Sequence, residues 1–214
     1  MLIGFQRASV TKGWPLTVLD LALEAAHGAT TPEDVIAAPM ALLQSRLGDR
    51  QAHTRPGALL EGQSQFFAAG GFLAAPDGEH LMLIGNTGFP SEQKRLCIPR
   101  TGGDPGRVIA SGEALLLPDT RSHSAFRQYL KTARMGSAAY APLIQEGQAI
   151  GLLITAALAA NTLSEKDLAV LTAVAPVIVE NWLKLDGPHW LAQEFERAKT
   201  TGEAFFVGKE GVTA

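Results

Sequence analysis

The sequence predicts an α+β fold in which a central antiparallel sheet carries helices on one face and loops with short helices on the other. Two observations support this prediction. Helical periodicity dominates the two ends of the chain, whereas the middle is a series of short apolar segments separated by glycine and proline turns. Helices followed by antiparallel strands and a closing helix are typical of an α+β sandwich.

The composition limits the possible functions. The 214 residues are enough to bury a substantial core, and the formal net charge of −3 comes without any basic block, so we expect no nucleic-acid partner. Apolar runs stay below the roughly 18 residues of a membrane span, and the first residues do not have the pattern of a signal peptide. We therefore expect a cytoplasmic protein with no membrane partner. Cys97 is the only cysteine, which excludes an internal disulfide and a multi-cysteine zinc site.

Two helical segments open the chain. Leu16, Leu19 and Leu23 recur at helical spacing until Gly28, and Thr31 is placed to cap a second segment that Pro39 should kink or make irregular. The polar stretch that follows, "GDRQAHTRPGALLEGQSQ", is predicted to be a loop.

Two β-hairpins are predicted in the middle of the chain. "QFFAAGGFLAA" and "HLMLIGNTG" flank a turn at Asp77-Gly78, and "SAAYAPLIQEGQAIGLLITAALAA" turns at Glu146-Gly147. Between these hairpins, "RLCIPR" and "EALLLPD" read as two further short strands on either side of a glycine-rich stretch.

The glycine-rich stretch "RTGGDPGRVIASG" does not match a phosphate-binding P-loop, because the required Gly-Lys-Ser/Thr ending is missing. Its residues suit a short capped helix instead, with Asp104 as the N-cap and Gly112 just beyond the C-terminus. The polar turn that follows leads into "SAFRQYLKTARMG", which is predicted to be another short helix ending at Gly136.

A long amphipathic helix is predicted near the C-terminus. Ser164 and Asp167 form a capping-box pattern, and Pro176 should kink the helix near its middle. We divide the chain into an N-terminal extension (1–15), one domain (16–186) and a partly helical C-terminal tail (187–214).

Several polar and aromatic residues have both a functional and a structural interpretation. Asp119 and Arg121 are able to anchor a polar ligand or to bond locally in a turn, and Arg107 is able to pair with an anion or remain solvated. His123 has no partner at metal-ligand spacing, so a capping role competes with pH sensing, and no metal site is predicted. Tyr129 and Tyr140 suit either a pocket wall or ordinary core packing.

Three motifs carry a family resemblance. "IPRTGGDPGRVIASGEALLLPD", "GSAAYAPLIQEGQAIGLLIT" and "LSEKDLAVLTAVA" occur in the order seen in GAF domains, the sensor modules related to PAS domains, and the resemblance runs from about Val18 to Leu185. It implies a pocket on the sheet face opposite the outer helices, covered by the glycine-rich stretch and "SHSAFRQYLKTARM". The ligand-binding residues that follow from this are Cys97, Arg107, Asp119, Arg121, His123, Phe126, Tyr129 and Tyr140.

The resemblance implies a sensor or adaptor that binds an unidentified small molecule, requires no known cofactor, and acts in signal transduction through a regulatory partner protein. A non-sensing assembly or interaction factor with a vestigial pocket is the alternative. A third possibility is an enzyme similar to free methionine sulfoxide reductases, which use a nucleophilic and a resolving cysteine. Pro105 stands at the position expected for the nucleophile, so we predict no catalytic residues and no enzymatic activity.

The apolar stripes of the first and closing helices predict a homodimer. Leu16, Leu19 and Leu23 form one stripe, and Ile178 and Trp182 belong to the other. Burial of such surfaces across a two-fold axis is a common way to form a dimer. The alternative is that the tail folds back over these helices through Trp190 and Phe195.

Overall fold

The computed structural model describes residues 17–211, so the predicted extension (1–15) and Leu16 lie outside the described part of the chain. Residues 17–211 form five α-helices and seven strands, an α+β fold as predicted. In chain order they are α1 (Val18–Gly28), α2 (Asp34–Arg46), β1 (Phe67–Ala74), β2 (His80–Thr87), β3 (Arg95–Pro99), α3 (Gly103–Ser111), β4 (Leu115–Leu117), β5 (Ser137–Gln145), β6 (Gln148–Ala157), α4 (Glu165–Lys184), α5 (Gly187–Thr201) and β7 (Ala204–Phe206).

The seven strands form one sheet in the order β4-β5-β6-β1-β2-β3-β7. All neighbours are antiparallel except β3 and β7, which run parallel with Arg95 opposite Ala204. The prediction of an antiparallel sheet therefore holds for six strands, and the seventh, contributed by the tail, makes the sheet mixed.

Both predicted hairpins are present. The first turn is fixed by Asp77, whose Oδ1 accepts hydrogen bonds from the backbone amides of Glu79 at 2.9 Å and His80 at 3.0 Å. In the second turn Glu146 and Gly147 both have positive φ, at 50° and 79°, as a tight two-residue hairpin turn requires.

Helices α1, α2 and α4 pack on one face of the sheet, which we call the helix face. The sheet approaches α2 most closely at two glycines. A Cβ on Gly71 would lie 2.6 Å from Cγ2 of Ile36, and one on Gly85 would lie 2.5 Å from the backbone nitrogen of Ala37. The helix-face core includes Ile36, Met40, Leu43, Leu171, Val174 and Ile178, all at most 1% exposed.

The helix caps follow the sequence prediction at α4, where Ser164 and Asp167 form the capping box. The prediction that Thr31 caps the second helix holds only in part: Glu33 occupies the N-cap position of α2, and the Thr31 hydroxyl accepts from the backbone amide of Asp34 at 3.1 Å in the turn that leads into the helix. Pro39 and Pro176 both lie inside their helices.

Within residues 17–211 no single helix has the length and apolar character of a membrane span. Helices α4 and α5 meet this criterion only when they are taken together, and an 82° bend separates them.

The other face of the sheet is covered by α3 and by residues 123–136, which we call the cover segment. The prediction of a helix over residues 124–136 is wrong, because this stretch is neither helix nor strand. Side chains supply its backbone hydrogen bonds: Gln93 donates to the Tyr129 carbonyl at 2.8 Å and accepts from the Lys131 amide at 2.7 Å. Gln128 accepts from the Met135 amide at 3.2 Å.

The C-terminal tail folds onto its own chain. Leu191 and Phe195 of α5 are 5% and 2% exposed and belong to the helix-face core. Arg95 in β3 is also buried, and its guanidinium donates to Glu194 of α5 at 2.7 Å and to Glu33, next to α2, at 2.8 Å. The tail thus covers part of the surface from which the homodimer was predicted, and the homodimer itself remains a prediction.

Candidate functional site

An internal cavity lies between the sheet and the cover segment. Its volume is about 30 Å³, enough for about two water molecules and well below the roughly 300 Å³ of a small drug-binding site. A ligand larger than a few atoms therefore requires the cover segment to move. The sheet side is formed mainly by Phe72, Leu96, Ile98, Tyr140 and Ile154, and the cover side by Phe126, Tyr129, Leu130 and Met135.

A buried carboxylate lies beside the cavity, at the start of α3. Asp104 is 1% exposed and precedes Pro105, a cavity-lining residue. Its Oδ1 is 2.8 Å from Nε2 of His123, and among the described residues its Oδ2 has no hydrogen-bond partner. The prediction that Asp104 is the N-cap is wrong: Gly102 occupies that position, and the Asp104 side chain pairs with His123 instead of capping backbone amides.

Two phenols stand close to this carboxylate. The Tyr129 hydroxyl is buried without a partner in the described part of the chain, and a Cβ on Gly102 or Gly103 would lie 3.0 or 3.1 Å from it. The two glycines thus leave room for the phenol. Burial raises the pKa of both Tyr129 and Tyr140, and the negative charge of Asp104 adds to both increases. The positive charge of Arg127 acts in the opposite direction on Tyr129 and offsets part of the increase in its pKa. At neutral pH both phenols therefore keep their protons and can donate hydrogen bonds.

The structure brings half of the predicted site residues together. Phe126, Tyr129 and Tyr140 line the cavity, and His123 pairs with the carboxylate beside it. Sequence reasoning missed the part played by Asp104, because an aspartate before proline in a glycine-rich stretch also fits a helix cap.

Asp119 and Arg121 bind each other rather than the cavity. The Arg121 guanidinium donates to Asp119 at 2.7 to 3.2 Å and to the carbonyl of Gly57 at 2.6 Å. This hydrogen bonding lowers the pKa of Asp119. Arg107 is exposed on α3 and lines an open groove with Arg100 on the outside of the protein. These three predicted residues therefore lie away from the cavity.

Cys97 lies on the opposite side of the sheet from the cavity. Residues alternate between the two faces along a strand, and in β3 Leu96 and Ile98 face the cavity while Cys97 joins the helix-face core. Burial raises the pKa of the Cys97 thiol to about 12. The structure does not bring Cys97 to the predicted pocket, because its position in the strand alternation points it to the other face.

The family model that matches is described as "GAF domain" and covers residues 58–180. This chain belongs to the GAF domain family. The match covers more than half of the chain and includes the cavity, the cover segment and most of the sheet. Comparison with curated protein sequences gives no match.

Solved structures of GAF domains share the fold. The GAF domain of an Acinetobacter phosphoenolpyruvate-protein phosphotransferase superposes with a TM-score of 0.64 at 12% identity, over 79% of this chain and 93% of that one. The free methionine-R-sulfoxide reductase of Neisseria meningitidis, solved with its substrate, has a TM-score of 0.60 at 17% identity, over 83% of this chain and 89% of that one. The GAF domain of a phosphoenolpyruvate-protein phosphotransferase from Coxiella burnetii has a TM-score of 0.57 at 19% identity, over 86% of this chain and 94% of that one. At these identities the likeness extends to the fold alone.

Proposed function

We propose that this GAF domain is a sensor that binds a small molecule beneath the cover segment and acts through a partner protein. The observation that carries the proposal is the cavity itself, which has apolar walls, a buried carboxylate beside it, and an irregular segment as its lid. Small-molecule sites combine apolar walls with a few polar groups in this way.

The hydrogen bonding of the cover segment supports a lid that opens. The middle of its backbone is held to the rest of the protein by the side chain of Gln93, which is fully buried, through one bond to Tyr129 and one to Lys131. Its C-terminal end, at Met135 and Gly136, is bonded to other backbone and hydroxyl groups of the domain. Each such bond contributes about 1 kcal/mol net. Opening the middle of the cover therefore breaks few backbone hydrogen bonds, and its main cost is the exposure of the buried side chains of the cover.

Contacts between the C-terminal segment and the cover segment support a route by which opening is passed to a partner. The Lys131 ammonium lies 4.3 Å from the ring centre of Phe205 in β7, and a Cβ on Gly211 would lie 2.5 Å from the Gln128 carbonyl oxygen. Movement of the cover segment would change both contacts. A regulatory protein, or a second copy of this chain in a homodimer, would then bind the altered C-terminal surface.

Enzymes share this fold, since methionine sulfoxide reductases are among the matching structures. We favour a sensor because sulfoxide reduction by cysteine proceeds through an accessible thiolate. The only thiol of this chain is buried on the helix face, with its pKa raised to about 12.

Native mass spectrometry of the purified full-length protein tests the proposal. We expect a bound small molecule on the wild-type protein and on Arg107→Ala, because Arg107 is exposed and outside the cavity. Ala156→Leu, which fills the cavity from the sheet side, should lose it. Wild-type protein that carries no small molecule, or an Ala156→Leu variant that retains it, would favour an assembly factor with a vestigial pocket.

A further inference from the structure

The charge beside the cavity restricts the kind of molecule that fits. Asp104 is buried. Among residues 17–211 its only salt-bridge partner is His123, which is half-buried. A carboxylate oxygen held away from water without a hydrogen-bond donor is costly, and more so when the group is charged. A ligand that supplies the missing donor would remove this cost.

Arg127 of the cover segment does not pair with Asp104. Arg127 lines the cavity, but its Nη1 donates to the carbonyls of Ser124 at 2.9 Å and Phe126 at 3.3 Å. Its guanidinium is thus engaged within the cover segment, and no salt bridge joins it to Asp104 in the described structure. The negative charge of Asp104 is left for a group that comes from outside the protein.

The hydroxyl of Tyr129 is the second unpartnered group at this end. Its oxygen is able to accept a hydrogen bond, and the walls beyond it are apolar. An anionic group beside Asp104 would be repelled by its charge, and a neutral apolar molecule would leave both polar groups unsatisfied. A cationic group satisfies both when it binds on the Asp104 side of the phenol, away from the Arg127 guanidinium, whose charge also acts on Tyr129.

We propose that the ligand of this cavity is a small apolar molecule with a protonated amine, whose ammonium group binds Asp104 and the Tyr129 hydroxyl. This inference rests on the proposed function, because it names the chemical class bound at the same site. The carboxylate supplies charge complementarity, the phenol supplies a second acceptor, and the apolar walls hold the body of the molecule.

Three probes with the same aromatic body and different head groups test the inference: benzylamine, benzyl alcohol and benzoate. Each is titrated into the full-length protein at about pH 8, where free histidine is neutral and aliphatic amines are protonated. Chemical-shift changes at the Met135 methyl group report binding in the cavity. We expect benzylamine to bind at least about tenfold more tightly than benzyl alcohol, and benzoate to bind most weakly.

The Asp104→Asn variant should bring the ratio of the benzylamine and benzyl alcohol affinities to about one. Asp119→Asn is the matched control, because that carboxylate is paired with Arg121 away from the cavity, and it should keep the wild-type ratio. If Asp104→Asn does not fold, the ratio measured on the wild-type protein decides alone.

Equal affinity for benzylamine and benzyl alcohol in the wild-type protein overturns the inference and leaves the proposed function intact. Tightest binding of benzoate, or an unchanged preference for benzylamine in a folded Asp104→Asn variant, overturns it in the same way. If none of the three probes shifts the Met135 signal, the inference is overturned, and native mass spectrometry of the wild-type protein and Ala156→Leu decides the proposed function separately.

Discussion

On the helix face of the sheet, α1, α2 and α4 bury an apolar core in regular structure, with glycines that bring α2 close to the strands. On the other face, the cover segment closes a small cavity without regular structure, and side-chain amides hold its backbone. The first arrangement resists local opening, because many apolar contacts must break together. The second depends on a few hydrogen bonds and on four buried hydrophobic side chains, those of Phe126, Tyr129, Leu130 and Met135. The comparison indicates that stability resides mainly on the helix face and binding on the cover face.

The largest loss of stability is expected at Arg95, whose charge is buried at the margin of the helix face. Arg95→Met leaves Glu33 and Glu194 without their buried partner, and removal of one member of a buried ion pair typically costs about 3–5 kcal/mol. Lys184→Met is the control, because its pair with Glu180 is exposed and should contribute less than about 1 kcal/mol. Urea unfolding of both variants checks this, and similar losses would contradict the assignment.

The same network predicts a pH dependence. Hydrogen bonds from Arg197 and Arg95 lower the pKa of Glu194 below its ordinary value of 4.5. The stability that Glu194 contributes is therefore fully present above about pH 4.5 and is lost as the pH falls through the lower pKa of the folded state. Acid unfolding should show a smaller loss of stability over this range in Arg95→Met than in the wild-type protein. Parallel curves for the two proteins would argue against the pairing.

A matched pair of truncations compares the two faces directly. Ile36→Ala removes a fully buried side chain from the helix face and should cost about 2–5 kcal/mol. Leu130→Ala removes a buried side chain from the cover segment and should cost less than half as much, because an irregular segment beside a cavity relaxes more easily. Chemical denaturation measures both, and equal costs would show that the cover is packed as firmly as the helices.

The smallest effect on stability and on binding is expected at Cys97. Burial raises its pKa from 9.0 to about 12, so its contribution to stability is complete below pH 9 and declines as the pH rises toward 12. At pH 8 iodoacetamide should modify the folded protein far more slowly than the unfolded protein. Cys97→Ala should leave the affinity for benzylamine unchanged, because the thiol lies on the helix face. Rapid modification, or weaker binding by Cys97→Ala, would place the thiol at the cavity.

The parts of the fold that the sequence predicts are those decided by local chemistry. The turns at Asp77-Gly78 and Glu146-Gly147 and the cap formed by Ser164 and Asp167 depend on residues within three positions of one another. The resemblance to GAF domains then placed the pocket on the face opposite the helices, and Tyr129 and Tyr140 do line the cavity there.

The parts that the sequence does not predict are decided by distant partners. Residues 124–136 have the composition of a helix, but the side chain of Gln93, more than thirty residues earlier, bonds their backbone in an irregular path. Strand β7 forms only because Arg95 and its neighbours in β3 offer an unpaired edge. The pairing of Asp104 with His123 joins residues 19 positions apart, and no local pattern indicates it.

The claim that the cover opens independently of the helix face is tested most directly by native-state hydrogen exchange at two kinds of amide. The cover amides are those of Lys131 and Met135, bonded to Gln93 and Gln128, and the reference is the amide of Ile178 in α4. We predict that the cover amides exchange through an opening several kcal/mol easier than global unfolding, and that Gln93→Ala speeds exchange at Lys131 without changing Ile178. Cover amides that exchange only with global unfolding, at the same rate as Ile178, would contradict the account.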